Sequence, residues 1–203
     1  MKERCPWPGN DPLYIKYHDN EWGVPEHDSK MLLEKLTLEG FQAGLSWITI
    51  LRKREAFRTA FDNFQPEVIA NYNVRKINSL LKNKEIVRHR GKIEATINNA
   101  KIYLDIEKQK GFNNFLWEYT QFSPLQTHAV SQVDVQTQSP LSQKISKDLK
   151  KLGYRYCGPT IVYAFMEAVG MINNHLISCH RHTEVQHKQS YNQSGTRSLS
   201  IIS

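Results

Sequence analysis

Four side chains of the kinds that ligate metals stand at the two ends of this sequence. Cys5 and His18 lie near the start, and His175 and Cys179 near the end, the latter spaced His-x₃-Cys. On a helical turn that spacing puts both side chains on one face, as shared ligation requires. Two thiolates and two imidazoles complete a tetrahedron, the make-up of a closed, structural zinc site. Such a site would tie the two ends of the domain together and stabilise folding, with no open position for catalysis. Spacing alone leaves plain packing of these residues open. The first pair is separated by twelve residues, and His180 and His182 stand close enough to compete. Cys157 is the third cysteine, and so low and odd a count argues against a disulfide framework and for a reducing compartment.

A second group combines rings with a carboxylate. Trp7, Tyr14, Tyr17, Trp22 and Trp47 all fall within the first fifty residues, and Glu39 interrupts an apolar stretch, Leu36-Thr37-Leu38-Glu39-Gly40-Phe41. A carboxylate among aromatics can recognise a base by hydrogen bonds while the rings stack on its faces. An aromatic core with Glu39 at its edge is the alternative.

A third group suits a phosphate backbone. Gly153-Tyr154-Arg155-Tyr156-Cys157-Gly158 separates two helical stretches, and Pro159 follows the second glycine. In a helix-hairpin-helix of this kind the turn and the next helix's N-terminus offer unpaired N–H groups and a favourable dipole. Lys150, Lys151, Arg155 and Gly158 then become candidate DNA contacts, with the cations releasing counterions. A surface αα-hairpin without a ligand is the alternative.

The elements that must position these groups read as helices nearly throughout. Leu32, Leu33, Leu36 and Phe41 mark a stripe opened by Asp28 and Ser29 as caps. Trp47, Ile50, Leu51, Phe57, Ala60 and Phe61 mark the next, and Ile77, Leu80 and Leu81 a short third. Ile93, Ile97, Ala100 and Leu104 belong to a long helix ending near Gly111, followed by a short one over 112–119. Residues 121–139 read as a long surface loop. Ser139-Pro140 opens a helix with Leu141, Ile145, Leu149 and Leu152 inward, and Gly153 ends it. Gly158-Pro159 opens the next, with Ile161, Phe165, Ala168 and Val169 inward. No alternating strand appears, so the predicted fold class is all-α. Residues 1–182 read as one domain and 183–203 as a polar, disordered tail.

The chain has 203 residues, 27 Lys and Arg against 20 Asp and Glu, and a mean hydropathy of −0.57. That balance excludes a membrane channel, and no run reaches the roughly 18 apolar residues a spanning helix needs. No apolar leader follows Met1, so a cytoplasmic protein is expected. The net charge of +7 favours a polyanionic partner, nucleic acid before anionic membrane. Seven cations from Arg75 to Lys92 face one acid, Glu85.

Taken together, the runs from Asp11 to Pro25, Leu38 to Leu51, Arg88 to Lys92 and Gly158 to Met166 closely resemble the constitutive 3-methyladenine DNA glycosylase I family. The resemblance covers about residues 3–179. It implies a helix-hairpin-helix glycosylase fold, with 3-methyladenine excised from alkylated double-stranded DNA to leave an abasic site. It places one structural zinc ion on Cys5, His18, His175 and Cys179. The base pocket falls on Glu39, Tyr17 and Trp47, with Tyr14 and Trp22 nearby, and Gly44-Leu45 resembles the segment that presses into the gap in the duplex. Residues 156–170 hold no Lys, so the nucleophile of a lyase step is missing there. Residues 171–182 hold no Asp or Glu, which leaves Glu39 the best acidic candidate for catalysis, its role base catalysis or recognition. The expected protein is a monofunctional hydrolytic glycosylase, monomeric by default, with the free base as product and no membrane partner. A non-catalytic DNA-damage binder on the same fold, or a zinc-stabilised interaction protein, are the other readings.

Overall fold

The computed structural model describes residues 2–186, and the expected tail from residue 187 onward lies outside them. The described residues divide into two compact units. One comprises the chain up to Pro25, Pro124–Gln136 and the chain from Glu167; the other comprises Glu26–Ser123 and Thr137–Met166.

The second unit is helical. It contains α2 (Ser29–Gln42), α3 (Trp47–Ala60), α4 (Pro66–Ile69), α5 (Val74–Lys82), α6 (Arg90–Lys110), α7 (Phe112–Trp117) and α8 (Pro140–Lys151), and most of α9 (Pro159–Ala168). Two of its caps are those that the sequence predicts. The Asp28 carboxylate accepts from the Met31 N–H at 2.8 Å, and Ser139 forms a capping box with Ser142. The core is built on buried aromatics from α2, α3 and the turn after it. Phe41 packs on Phe57 at 4.8 Å between ring centroids, Phe57 on Phe61 at 6.0 Å, and Phe61 on Phe64 at 5.9 Å. Ile50, Ile69 and Ile93 close around them. Each such side chain contributes about 1.5–3 kcal/mol on burial.

The turn between α8 and α9 is held from α6. The Asn99 side chain both accepts from the Arg155 N–H and donates to the Arg155 carbonyl, each at 2.9 Å. Asn98 donates to the Gly153 carbonyl at 2.8 Å, and the Ser146 hydroxyl donates to the Cys157 carbonyl at 2.6 Å. Leu152, expected inward, is 47% exposed. The chain reverses at Gly153, whose φ of +94° favours glycine, and Tyr154 takes the inward place instead.

The first unit holds α1 (Pro12–Asn20), which the hydrophobic pattern does not predict because α1 buries only Tyr17 and His18. Its sign is Asp11-Pro12: the Asp11 carboxylate caps Leu13 and Tyr14, and Pro occupies the first turn. The chain is mostly helical, with one departure from a purely helical reading. Strands β1 (Leu125–Gln126) and β2 (Ile172–Asn173) pair in parallel, Leu125 opposite Ile172. Two residues are too few to show alternation. A helical stretch, 180–186, runs on past His182. No helix among the described residues is long and apolar enough to cross a membrane.

Within this unit Glu167 accepts from the Asn174 side-chain amide at 2.6 Å, and the Thr127 hydroxyl donates to the other end of that amide at 2.7 Å. Burial raises the Glu167 carboxyl to about 7, against which the Asn174 bond pulls it down.

Two outcomes follow from these contacts. Asn99→Ala leaves the Arg155 peptide groups without their partners, and urea denaturation should show a loss of about 1–2 kcal/mol. Glu167 binds its proton more tightly folded than unfolded, so its stabilising contribution is full below about pH 4.5 and falls as pH rises through about 7. Glu167→Gln should therefore flatten the dependence of unfolding free energy on pH between 5 and 8, measured by denaturation at a series of pH values.

Candidate functional site

The four metal-ligating side chains converge. Cys5 reaches the cluster from the N-terminal segment, His18 from the last turn of α1, and His175 and Cys179 from the segment after β2. All four are buried, and their ligand atoms lie within 4.8 Å of one another. Cys179 Sγ stands 3.5 Å from His18 Nε2 and 3.6 Å from His175 Nδ1, and Cys5 Sγ stands 3.8 Å from His175 Nδ1. A tetrahedron with metal–sulfur legs of ~2.3 Å and metal–nitrogen legs of ~2.0 Å has sulfur–nitrogen edges of about 3.5 Å. The donor set therefore fits one tetrahedral metal ion. His180 and His182 stay apart from it. His180 Nδ1 bonds the Glu3 carbonyl at 2.8 Å, and His182 Nε2 the Thr127 carbonyl at 3.0 Å.

The surroundings set the ligand protonation. Asp19 accepts from His18 Nδ1 at 2.8 Å, which leaves Nε2 free to ligate. The Arg4 guanidinium, with help from His18, holds the Asp19 carboxyl down at about 2. His175 is turned the other way: its Nε2 donates to the Trp22 carbonyl at 3.1 Å and its Nδ1 faces the sulfurs. Burial lowers its affinity for a second proton. Hydrogen bonds from the Cys5 thiol and the Arg181 N–H favour the Cys179 thiolate, and that thiolate together with burial keeps the proton on Cys5. The Leu176 N–H donates to Cys5 Sγ at 3.4 Å. A bound cation would displace the remaining proton.

The ring residues of the first unit pack around this cluster. Trp7 meets Tyr14 at 4.7 Å, Trp22 at 5.1 Å and His18 at 5.2 Å, and Trp22 meets His175 edge to face at 4.6 Å. Tyr17 is buried, while Tyr14 and Trp22 are half-buried. Trp22 thus has a structural task at the cluster through both its ring and its carbonyl. Asp19 and Arg4 carry no pattern that spacing could reveal, although an acid beside a candidate histidine ligand is a usable sign.

In the helical unit, Glu39 lies in the last turn of α2 and is only 4% exposed. Trp47 is the first residue of α3 and packs partly against the aromatic core. Between them the chain turns at Gly44, with φ +83°, and presents Leu45, 42% exposed. The structure thus gathers Glu39, Gly44, Leu45 and Trp47 on one helix end, a tight loop and the next helix start. A carboxylate held out of water there acts strongly on a nearby cation.

Around the hairpin, Lys147, Lys150, Lys151 and Pro159 border an open groove at the start of α9. Lys151 is ion-paired with Asp148 at 3.1 Å, and Arg155 is exposed. Gly158 leaves open space where a side chain would stand.

The methyladenine glycosylase family matches residues 7–182. The chain is 47% identical over 178 residues to DNA-3-methyladenine glycosylase 1 of Escherichia coli (strain K12), covering 87% of this chain and 95% of that protein. It is similar to a crystal structure of 3-methyladenine DNA glycosylase I, with a TM-score of 0.87 and 48% identity over 89% of this chain and all of that one. A variant glycosylase of the same name, crystallised in complex with 3-methyladenine, superposes with a TM-score of 0.84 at 40% identity, covering 87% of this chain and 96% of that one.

Cys179→Ala opens the tetrahedral donor set. Elemental analysis of the purified variant should show metal content well below one ion per chain. Its midpoint of thermal unfolding should fall by about 10 °C or more. A wild-type protein equally stable with and without chelator would contradict a structural metal.

Proposed function

Since this chain belongs to the methyladenine glycosylase family, we propose that it extrudes 3-methyladenine from alkylated double-stranded DNA and hydrolyses its glycosidic bond, with no lyase step. Relatives named as DNA-3-methyladenine glycosylases support the reading. The observation that carries the reading is the buried Glu39 carboxylate, one short loop away from Trp47.

Methylation at N3 makes the adenine of the nucleotide cationic, and so already a good leaving group. Glu39 accepts hydrogen bonds from that cation and favours it over neutral adenine, and Trp47 stacks on its face. Tyr17, with Tyr14 and Trp22, is assigned to the base by resemblance. The C1′–N9 bond breaks with its electron pair going to the base, which leaves neutral. The positive charge passes to the sugar. Water adds at C1′ and releases its proton to solvent, giving an abasic site, free 3-methyladenine and one proton. Glu39 acts by electrostatics and recognition, stabilising charge in a desolvated place. Extrusion costs less at a damaged, poorly stacked nucleotide, and Gly44-Leu45 fills the gap it leaves.

The DNA contacts are sequence-independent. The start of α9 and the exposed Lys150 and Arg155 hold phosphates, with Gly158 allowing the close approach of the backbone and Lys151 adding charge. Zinc is the metal the Cys₂His₂ set suits, and one ion per chain would hold the first unit together. The protein works in this reading as one helix-hairpin-helix glycosylase domain that includes the helical stretch to residue 186, and the polar tail is confined to the residues after it. It acts as a monomer in the cytoplasm without a membrane partner.

Chromatography of bases released from methylated duplex DNA tests this directly. Wild-type protein should release 3-methyladenine and leave 7-methylguanine in place. Glu39→Gln should slow release by about ten- to a hundredfold while zinc content and unfolding midpoint stay near wild type. No release from folded, metal-loaded wild type would favour a non-catalytic DNA-damage binder.

A further inference from the structure

The run Arg88-His-Arg-Gly-Lys92 has no part in the proposed chemistry, yet it contains a lysine in a costly place. Lys92 is 7% exposed, and burial lowers its affinity for a proton. It stands in the first turn of α6, where the positive end of the helix dipole disfavours a cation. No carboxylate partners it among the described residues. Its Nζ instead donates to the Phe41 carbonyl at 2.9 Å and to the Ala43 carbonyl at 2.7 Å. These close the C-terminal end of α2, where the dipole favours a cation. The same ammonium lies 5.9 Å from the centre of the Tyr156 ring in the hairpin. Tyr156 in turn packs where glycines leave room: its carbonyl lies 3.2 Å from the place of a Gly40 side chain, and its hydroxyl 2.8 Å from that of Gly91.

We infer that Lys92 is a positioning residue for base excision, one that fixes the exit of the chain from α2. Glu39 precedes the clamped carbonyls, and Gly44, Leu45 and Trp47 follow them. Holding Phe41 and Ala43 sets the direction in which Leu45 leaves the surface and in which α3 begins. Lys92 is too buried to meet DNA, so its effect is on placement. The inference rests on the function proposed above.

Single-turnover release of 3-methyladenine from methylated duplex DNA is measured for wild type, Lys92→Met and Lys92→Arg. Peptide-resolved hydrogen–deuterium exchange and binding of undamaged duplex are measured alongside. Lys92→Met should slow release by about ten- to a hundredfold, the effect of a small misplacement of reacting groups. Exchange over 41–47 should quicken, while exchange in the rest of α6 and binding of undamaged duplex stay unchanged. Lys92→Arg, which can still donate to both carbonyls, should recover most of the rate. Wild-type release by Lys92→Met overturns the inference, and so does unchanged exchange at 41–47. Protection lost evenly across the unit also overturns it, since that is the mark of a merely structural residue. Should Lys92→Met not fold, Lys92→Gln replaces it, and equal release by the Gln and Arg variants overturns the inference. If wild type itself releases no base, the function reading fails, and exchange over 41–47 decides the clamp by itself.

Discussion

A carboxylate taken out of water costs several kcal/mol unless its surroundings compensate, and this protein keeps Glu39 buried in the last turn of α2. The helical unit answers to that constraint. Phe41, two residues on, anchors α2 in a stack of phenylalanines that contributes the burial energy. Lys92 closes the helix end just beyond the carboxylate. In the proposed function a negative charge at Glu39, in a place of low dielectric, would discriminate a cationic base from a neutral one far better than an exposed acid could.

The other unit solves a different problem. One of its apolar clusters holds Cys5, Ala129, Leu176 and Cys179, with Trp7, Trp22 and Val135 against it. Ligand atoms spaced as the edges of a tetrahedron, with imidazoles oriented by Asp19 and the Trp22 carbonyl, would let a bound metal ion staple that cluster. The ligands come from sequence positions more than 150 residues apart, as the 161-residue separation of His18 and Cys179 shows. One ion would therefore fix both ends of the chain at once.

Much of this was legible from residue types. Asp28, Ser139 and Gly153 mark helix ends by local chemistry, and the apolar stripes of α2, α3 and α6 follow from their period. The four candidate ligands were nameable by residue type and grouped as one set by the family resemblance, whereas their convergence could not be read from spacing, because His-x₃-Cys says nothing about Cys5 or His18. Helix α1 escaped because its inward face carries Tyr17 and His18 instead of an aliphatic stripe. The paired strands were too short to alternate. Lys92 was hidden for a deeper reason. Its partners are backbone carbonyls about fifty residues away, and a carbonyl leaves no trace in sequence.

The central claim is that the helix end bearing Glu39, with Trp47 beyond it, selects a methylated base. The most direct measurement is an equilibrium titration of the protein with free 3-methyladenine and, separately, with adenine, followed by tryptophan fluorescence. Saturable quenching by 3-methyladenine, with no response to adenine over the same range, is the predicted result. An equal response to both bases, or none to either, would contradict it.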